Sequence, residues 1–294
     1  MKFILKIVKI LRTIAHLPLR ILILIGDAYS KFLKTVDNRN HDTFWQEIMQ
    51  KSIDKNISKD ILISKDPEKI IKFFCPTLIS SFRAKTFFTK EPETLDWMDK
   101  YGSKKKCLYD IGANVGIYSI YYAKKFDSDV IAFEPSYKNL NLFSQNIKLN
   151  KLETNICLIP NPISSNFVIS DFFQLDSTAG AAAATFNDGD IKNTFINNGK
   201  FNNESKMINY KTLGLSIDYL ISQELIRPPN LIKIDVDGNE LDIIEGLNET
   251  IKKTDDLSIL IETRGKTHQK IEENLKKLSL KKISQFKDNS IWQK

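Results

Sequence analysis

Apolar residues in this chain arrive in short unbroken runs, and several of those runs stop at a glycine or an acid. The stretch LYDIGANVGIYSI at 108–120 predicts a buried strand that breaks into a glycine-rich turn and restarts as a helix from about Ile117. DVIAFEP at 129–135 predicts a second strand closing on Glu134, and 155–159 a third. The segment NLIKIDVDGNELDIIEG at 230–246 repeats the strand–turn–helix form. Its strand, 231–236, carries Asp235, and Glu240 opens a helix with Leu241, Ile243, Ile244 and Leu247 apolar. A fifth strand, 257–261, ends in Glu262. Apolar strands joined through helices define an α/β chain with a mostly parallel sheet.

The rest of the pattern fills in around that sheet. Residues 93–101 read as a helix stopped by Gly102, and 137–148 as a helix with Leu140, Phe143 and Ile147 on its apolar face. Residues 167–175 predict a β excursion, and the alternation in KKISQF and IWQ predicts a closing hairpin. Residues 40–72 are polar and read as helical, while 73–90, rich in aromatic and β-branched residues, predict strands. From 177 to 209 small and polar residues dominate, which marks either a substrate loop or lid, or a disordered insertion. The organisation expected is a basic helix at 1–36, a cap at 37–90 and a catalytic domain at 91–294.

The net charge of +7 changes meaning once it is located. Residues 1–36 hold seven bases against the single acid Asp27, so six of the seven net charges lie there and the body is close to neutral. That distribution argues against a nucleic-acid groove, which needs clustered positive charge. Lys2, Lys6, Lys9, Arg12, His16 and Arg20 fall along one helical face with Phe3, Ile4, Ile7, Val8 and Leu11 between them. The arrangement predicts peripheral contact with an anionic membrane, or docking on protein. Its uncharged runs are far shorter than the ~20 residues a spanning helix needs. Three widely spaced cysteines, Cys75, Cys107 and Cys157, fit reduced thiols in the cytoplasm, possible peripheral binding placing the chain at the inner membrane face.

The chemistry is concentrated at the strand ends. Gly112 and Gly116 permit positive φ and close backbone approach in the turn after the first strand. Glu134, ending the next strand, suits a ribose diol, since an ionised carboxylate accepts hydrogen bonds at both oxygens. A dinucleotide turn needs glycine where this chain has Asn114 and Ile117, so a nicotinamide oxidoreductase fits poorly. The pattern matches D-x-G-x-N-x-G, a form of the S-adenosylmethionine loop. Asp235 stands at the carboxyl end of its strand, where open α/β sheets bind ligands. Asn161, in NPIS after the third strand, is placed to line an adenine pocket.

Taken together, DIGANVG, AFEP, NLNLFSQNIKLN, LSIDYL and KIDVDGNE resemble the FkbM-type S-adenosylmethionine-dependent methyltransferases, over roughly residues 74–263. The lead-in FFTKEPETLDWMDKYG is similar to that of bacterial members. The resemblance implies a Rossmann-like class I methyltransferase fold, with a seven-stranded mostly parallel sheet and helices on both faces. It implies methyl transfer, usually to a hydroxyl oxygen, here of a glycan, a lipid-linked sugar or another small molecule. Carried over, Asp110, Gly112, Asn114 and Gly116 form the cofactor loop, Glu134 and Pro135 hold the ribose end, and Asp235 and Glu240 sit at the reaction face. Many members have histidine where this chain has Asn239, so a histidine base is missing at that position. Asp235 is the expected base, its pKa raised by burial, with Glu262 second. An alternative has Asp235, Asp237 and Glu262 holding Mg²⁺. A non-catalytic nucleoside-binding scaffold is the remaining reading.

Overall fold

Four short apolar strands pair in parallel and bring their carboxyl ends into line. They are β3 (Leu108–Ile111), β4 (Val130–Phe133), β9 (Leu231–Ile234) and β10 (Ser258–Glu262). The computed structural model describes residues 58–62, 69–187, 207–263 and 267–294, together with Ile21, Leu24, Ile25, Ala28 and Lys31, which are helical and exposed. The chain falls into two units, Met1–Ile57 and Ser58–Lys294. Apart from those five positions, the expected basic helix and half of the expected cap lie outside the described residues, as does the centre of the expected lid, 188–206.

Sheet order, with β5 (Ile156–Ile159), β11 (Lys281–Phe286) and β12 (Asn289–Gln293), is β11-β12-β10-β9-β3-β4-β5. β12 runs antiparallel to β10 and β11, which is the expected closing hairpin. Reversal of order between β3 and β9 makes a topological switch point, with a crevice outside the strand ends. This is the Rossmann-like class I methyltransferase fold. The crossovers are α3 (Ile117–Phe126) after β3, α4 (Tyr137–Asn150) after β4, and α6 (Glu240–Glu245) with α7 (Asn248–Lys253) after β9. α8 (His268–Lys277) follows β10. One face of the sheet packs Tyr109, Ile111, Phe133, Ile232, Ile234, Ile259 and Ile261 against Ile243, Ile244, Leu247 and Leu275.

The N-terminal part differs from expectation. Ser58–Leu62 (β1) and Ile70–Phe74 (β2) form an antiparallel pair where helix was expected. The aromatic stretch expected as strand contains instead a helix, α1 (Leu78–Lys85). Thr77 and Ser80 explain it by forming a reciprocal capping box, Ser80 N–H to Thr77 Oγ1 at 3.0 Å and Thr77 N–H to Ser80 Oγ at 3.1 Å. α2 (Pro92–Tyr101) then leads to β3, its proline in the first turn where no N–H is needed.

β6 (Val168–Gln174), β7 (Ala184–Phe186) and β8 (Ile208–Gly214) form a separate antiparallel sheet in the order β7-β6-β8. α5 (Ile217–Ser222) returns the chain to β9. Among the described residues, the expected loop from 177 contains the short strand β7, which is paired with β6.

Candidate active site

Register builds the site. Ile111 pairs with both Phe133 and Ile234, and Ile234 pairs with Ile261. The next residue on each strand path is Gly112, Glu134, Asp235 or Glu262, so these four form one row along the crevice. All four line a single cavity with Asn114, Pro135, Asn139 and Asn161.

The turn after β3 is held by packing within the protein. Gly112 has φ +81°, and a Cβ there would lie 2.1 Å from the Asp235 carbonyl oxygen. At Gly116, φ +79°, it would lie 1.9 Å from the Phe143 ring. The close approach anticipated for a ligand is thus made by the chain itself. Asn114 also has positive φ, 54°, which asparagine tolerates, and its Oδ1 accepts from Val115 N–H at 3.0 Å.

Glu134 is 5% exposed and fixed from several sides. Its Oε2 accepts from Asn114 N–H at 2.7 Å, and its Oε1 from Ser136 N–H at 2.8 Å and Asn139 Nδ2 at 3.4 Å. Burial pushes its carboxyl up to about 7, against the lowering effect of those hydrogen bonds. Asn161 Nδ2 donates to Leu213 C=O at 2.8 Å, and the Pro135 carbonyl accepts from the Tyr210 hydroxyl. Both residues line the cavity.

Asp110 sits elsewhere. It is fully buried beneath the turn, accepting from Ser119 Oγ at 2.6 Å and facing the Lys233 ammonium at 3.9 Å, and is absent from the cavity lining. Burial raises its pKa, opposed by Lys233 and Ser119. Its place is to tie β3 to α3 and β9, a correction to its expected place in the cofactor loop.

The acids on the other side of the row divide sharply. Burial works to raise the Asp235 pKa, but Lys233, 2.7 Å away, and a hydrogen bond with Glu262 outweigh it and hold the carboxyl well below the usual range. The raised pKa expected of Asp235 is therefore not found. Glu240 is 4% exposed, accepts from Gly238 N–H at 3.1 Å and does not line the cavity. Burial pushes it up to about 7. Its strand-to-helix position suggested the reaction face, but the first turn of α6 directs it inward. Among the described residues no cluster of three His, Cys, Asp or Glu side chains could hold a metal ion. Asp237 of the alternative triad instead accepts from Ala183 N–H at 2.8 Å and Ala184 N–H at 3.2 Å.

That bond belongs to a strap across the cavity. Gly180 N–H donates to Asn139 Oδ1 at 2.8 Å, and Asn114 Nδ2 donates to Ala181 C=O at 2.8 Å. Arg83 Nε donates to Gly180 C=O at 2.7 Å. The alanine run thus lies over the glycine turn, latched by side chains from four separate parts of the chain. Arg83, Lys90 and Asn139 are cavity residues that sequence reasoning missed. Surface-type cations on a helix and a following loop give no signal of their own. Lys233 did leave one, a charge inside the apolar strand LIKI.

The donor set suits an adenosine ligand with a cationic substituent. Glu134 has each oxygen oriented; Oε2, with one partner, keeps a lone pair for a diol, and Oε1 can exchange its long 3.4 Å bond with Asn139 for the second hydroxyl. Glu134, Asp235, Asp237 and Glu262 line the cavity against Arg83 and Lys90, an acid excess that favours a sulfonium over a pyrophosphate.

The fold is of the Rossmann-like methyltransferase class. The chain belongs to the FkbM methyltransferase family: residues 110–279 match the methyltransferase FkbM domain. It is 26% identical over 150 residues to Methyltransferase 1 of Beauveria bassiana (strain ARSEF 2860), covering 48% of this chain and 58% of that relative. Among solved structures it is similar to the methyltransferase FkbM from Methylobacillus flagellatus KT, at 13% identity and TM-score 0.43, covering 83% of this chain and 57% of that one. It is also similar to precorrin-6y C5,15-methyltransferase from Geobacter metallireducens GS-15, at 13% identity and TM-score 0.41, covering 71% and 89%. Among the described residues no helix is long and apolar enough to cross a membrane.

Proposed function

We propose that this methyltransferase uses S-adenosyl-L-methionine and methylates a hydroxyl oxygen on a glycan, a lipid-linked sugar or another small molecule. The observation that supports the reading is the row of Glu134, Asp235 and Glu262 along one cavity, with an oriented diol acceptor at one end and a pair of neighbouring carboxyls at the other. The cofactor supplies a methyl group already made electrophilic by its sulfonium. The chain's work is orientation and proton removal. Glu134 grips the ribose, Asn161 and Pro135 flank the nucleoside end, and the Asp235–Glu262 pair orients the acceptor hydroxyl and receives its proton. The strap excludes water once the cavity is filled.

The test is transfer of labelled methyl to cell-extract fractions separated into lipid, glycan, soluble and nucleic-acid pools. Label should appear outside the nucleic-acid pool and resist mild alkali, as an ether does. Label confined to nucleic acid, or released by alkali as from a methyl ester, would overturn the hydroxyl assignment. In the same assay Asp235→Asn and Glu262→Gln should each slow transfer about 10²-fold or more while cofactor affinity holds. Unchanged transfer would remove that residue from the reaction.

A further inference from the structure

A lysine inside a sheet strand is costly unless its charge is matched. Lys233 is 2% exposed, the third residue of the apolar strand β9. Strand periodicity sends its side chain to the same face as Asp235, two residues on. Its Nζ lies 2.7 Å from Asp235 Oδ2 and 3.9 Å from Asp110 Oδ1, and 5.1 Å over the Tyr118 ring. Register places Ile234 beside Ile261, so the residues that follow them, Asp235 and Glu262, meet as neighbours. The ammonium is thus built against one member of a carboxyl pair.

We propose that Lys233 is a positioning residue that divides the work of that pair: its ammonium makes Asp235 the fixed anion and leaves Glu262 to take the acceptor's proton. The inference deepens the methyl-transfer reading above and rests on it. The first proton taken up by two adjacent carboxylates goes to the one whose charge is less well stabilised. Lys233 stabilises charge on Asp235, so when the pair takes up a proton it is Glu262 that holds it. In the reaction the acceptor oxygen bonds to the methyl carbon as the sulfur–carbon bond breaks, and that electron pair stays on sulfur. The hydroxyl proton passes to the ionised Glu262 carboxylate, which then donates it in a hydrogen bond to Asp235.

The groups facing the Lys233–Asp235 pair come from every surrounding element. They are Asp110 on β3, Glu91 ahead of α2, Tyr118 on α3, Glu240 on α6, Glu262 on β10 and Lys90. Burial opposes the lysine's charge, but Asp235, Asp110 and Glu91 outweigh it and raise its pKa.

The full-length chain, labelled with ¹³C at its aspartate and glutamate carboxyls, tests this by titration without any acceptor. Asp235→Asn and Glu262→Gln identify the two resonances. In the parent, Asp235 should stay ionised as pH falls through the ordinary aspartate range, about pH 4, while Glu262 takes up the proton. Lys233→Met should move the Asp235 titration upward by about one pH unit or more, and Lys233→Arg should restore it. An Asp235 titration that stays in Lys233→Met where the parent has it overturns the proposal. If Lys233→Met does not fold, the parent decides alone: Asp235 protonating ahead of Glu262 overturns it too. Calorimetry with S-adenosylmethionine on the parent is a separate readout. Absence of binding there would sink the methyl-transfer reading, whatever the carboxyls do.

Discussion

Glu134→Ala is expected to weaken S-adenosylmethionine binding by about tenfold or more, measured by calorimetry at pH 8. The side chain is held by the Asn114 and Ser136 N–H groups, so its oxygens are in place before any ligand arrives. A hydrogen bond to a charged group is worth about 1.5–3 kcal/mol, and a ribose diol offers two. Loss of the carboxylate also leaves two backbone donors without their partner in a buried place.

The same residue gives binding a pH dependence of definite sign. Its carboxyl titrates near 7 because burial disfavours the charge. Only the ionised form accepts from both ribose hydroxyls, so affinity should fall as pH drops from 8 to 6, by about tenfold. Glu134→Ala should bind weakly at both pH values. A parent affinity flat across that range would detach Glu134 from the ribose.

Glu240→Gln is expected to stabilise the protein at pH 8 by on the order of 2–3 kcal/mol, seen as a rise in Tm of several degrees. Burial raises the Glu240 carboxyl from 4.5 to about 7 in the folded chain. Unfolded, the group ionises near 4.5, so between those values the native state binds the extra proton. Its contribution is fully present below about pH 4.5 and is lost as pH rises through about 7. Glutamine carries no such proton, and its carbonyl can still accept from Gly238 N–H. The variant and parent should therefore converge below pH 5. Glu134 titrates alike in both, so the difference belongs to Glu240. Because Glu240 lies outside the cavity lining, cofactor affinity should not change. A Tm difference independent of pH would contradict the burial argument.

How far the sequence carried depended on how local each cause was. Strand β3 with its turn, the strand closing on Glu134 and the helix opening at Glu240 were all legible. Each is set by a run of apolar residues and by a glycine or proline within a few positions. Helix α1 was not. The aromatic content of 73–90 favours strand, and a four-residue capping box overrides it. Glu240 misled because a strand-to-helix position says that an acid is near the sheet end, but not which way the first helical turn points it.

Local patterning by itself determined the α/β class, the order of strand, turn and helix, the glycine positions and the identity of the acids at the strand ends. Backbone sterics and side-chain period act over a few residues, so the sequence is enough to read them. Only the tertiary structure decided that Gly112, Glu134, Asp235 and Glu262 share one row, since strand register depends on partners far apart in the chain. It alone set Lys233 against Asp235, turned Asp110 beneath the turn and laid the alanine strap over the glycines. Whether an acid is a buried strut or a working group is decided by neighbouring charge and by access to water, and those are properties of the packed molecule.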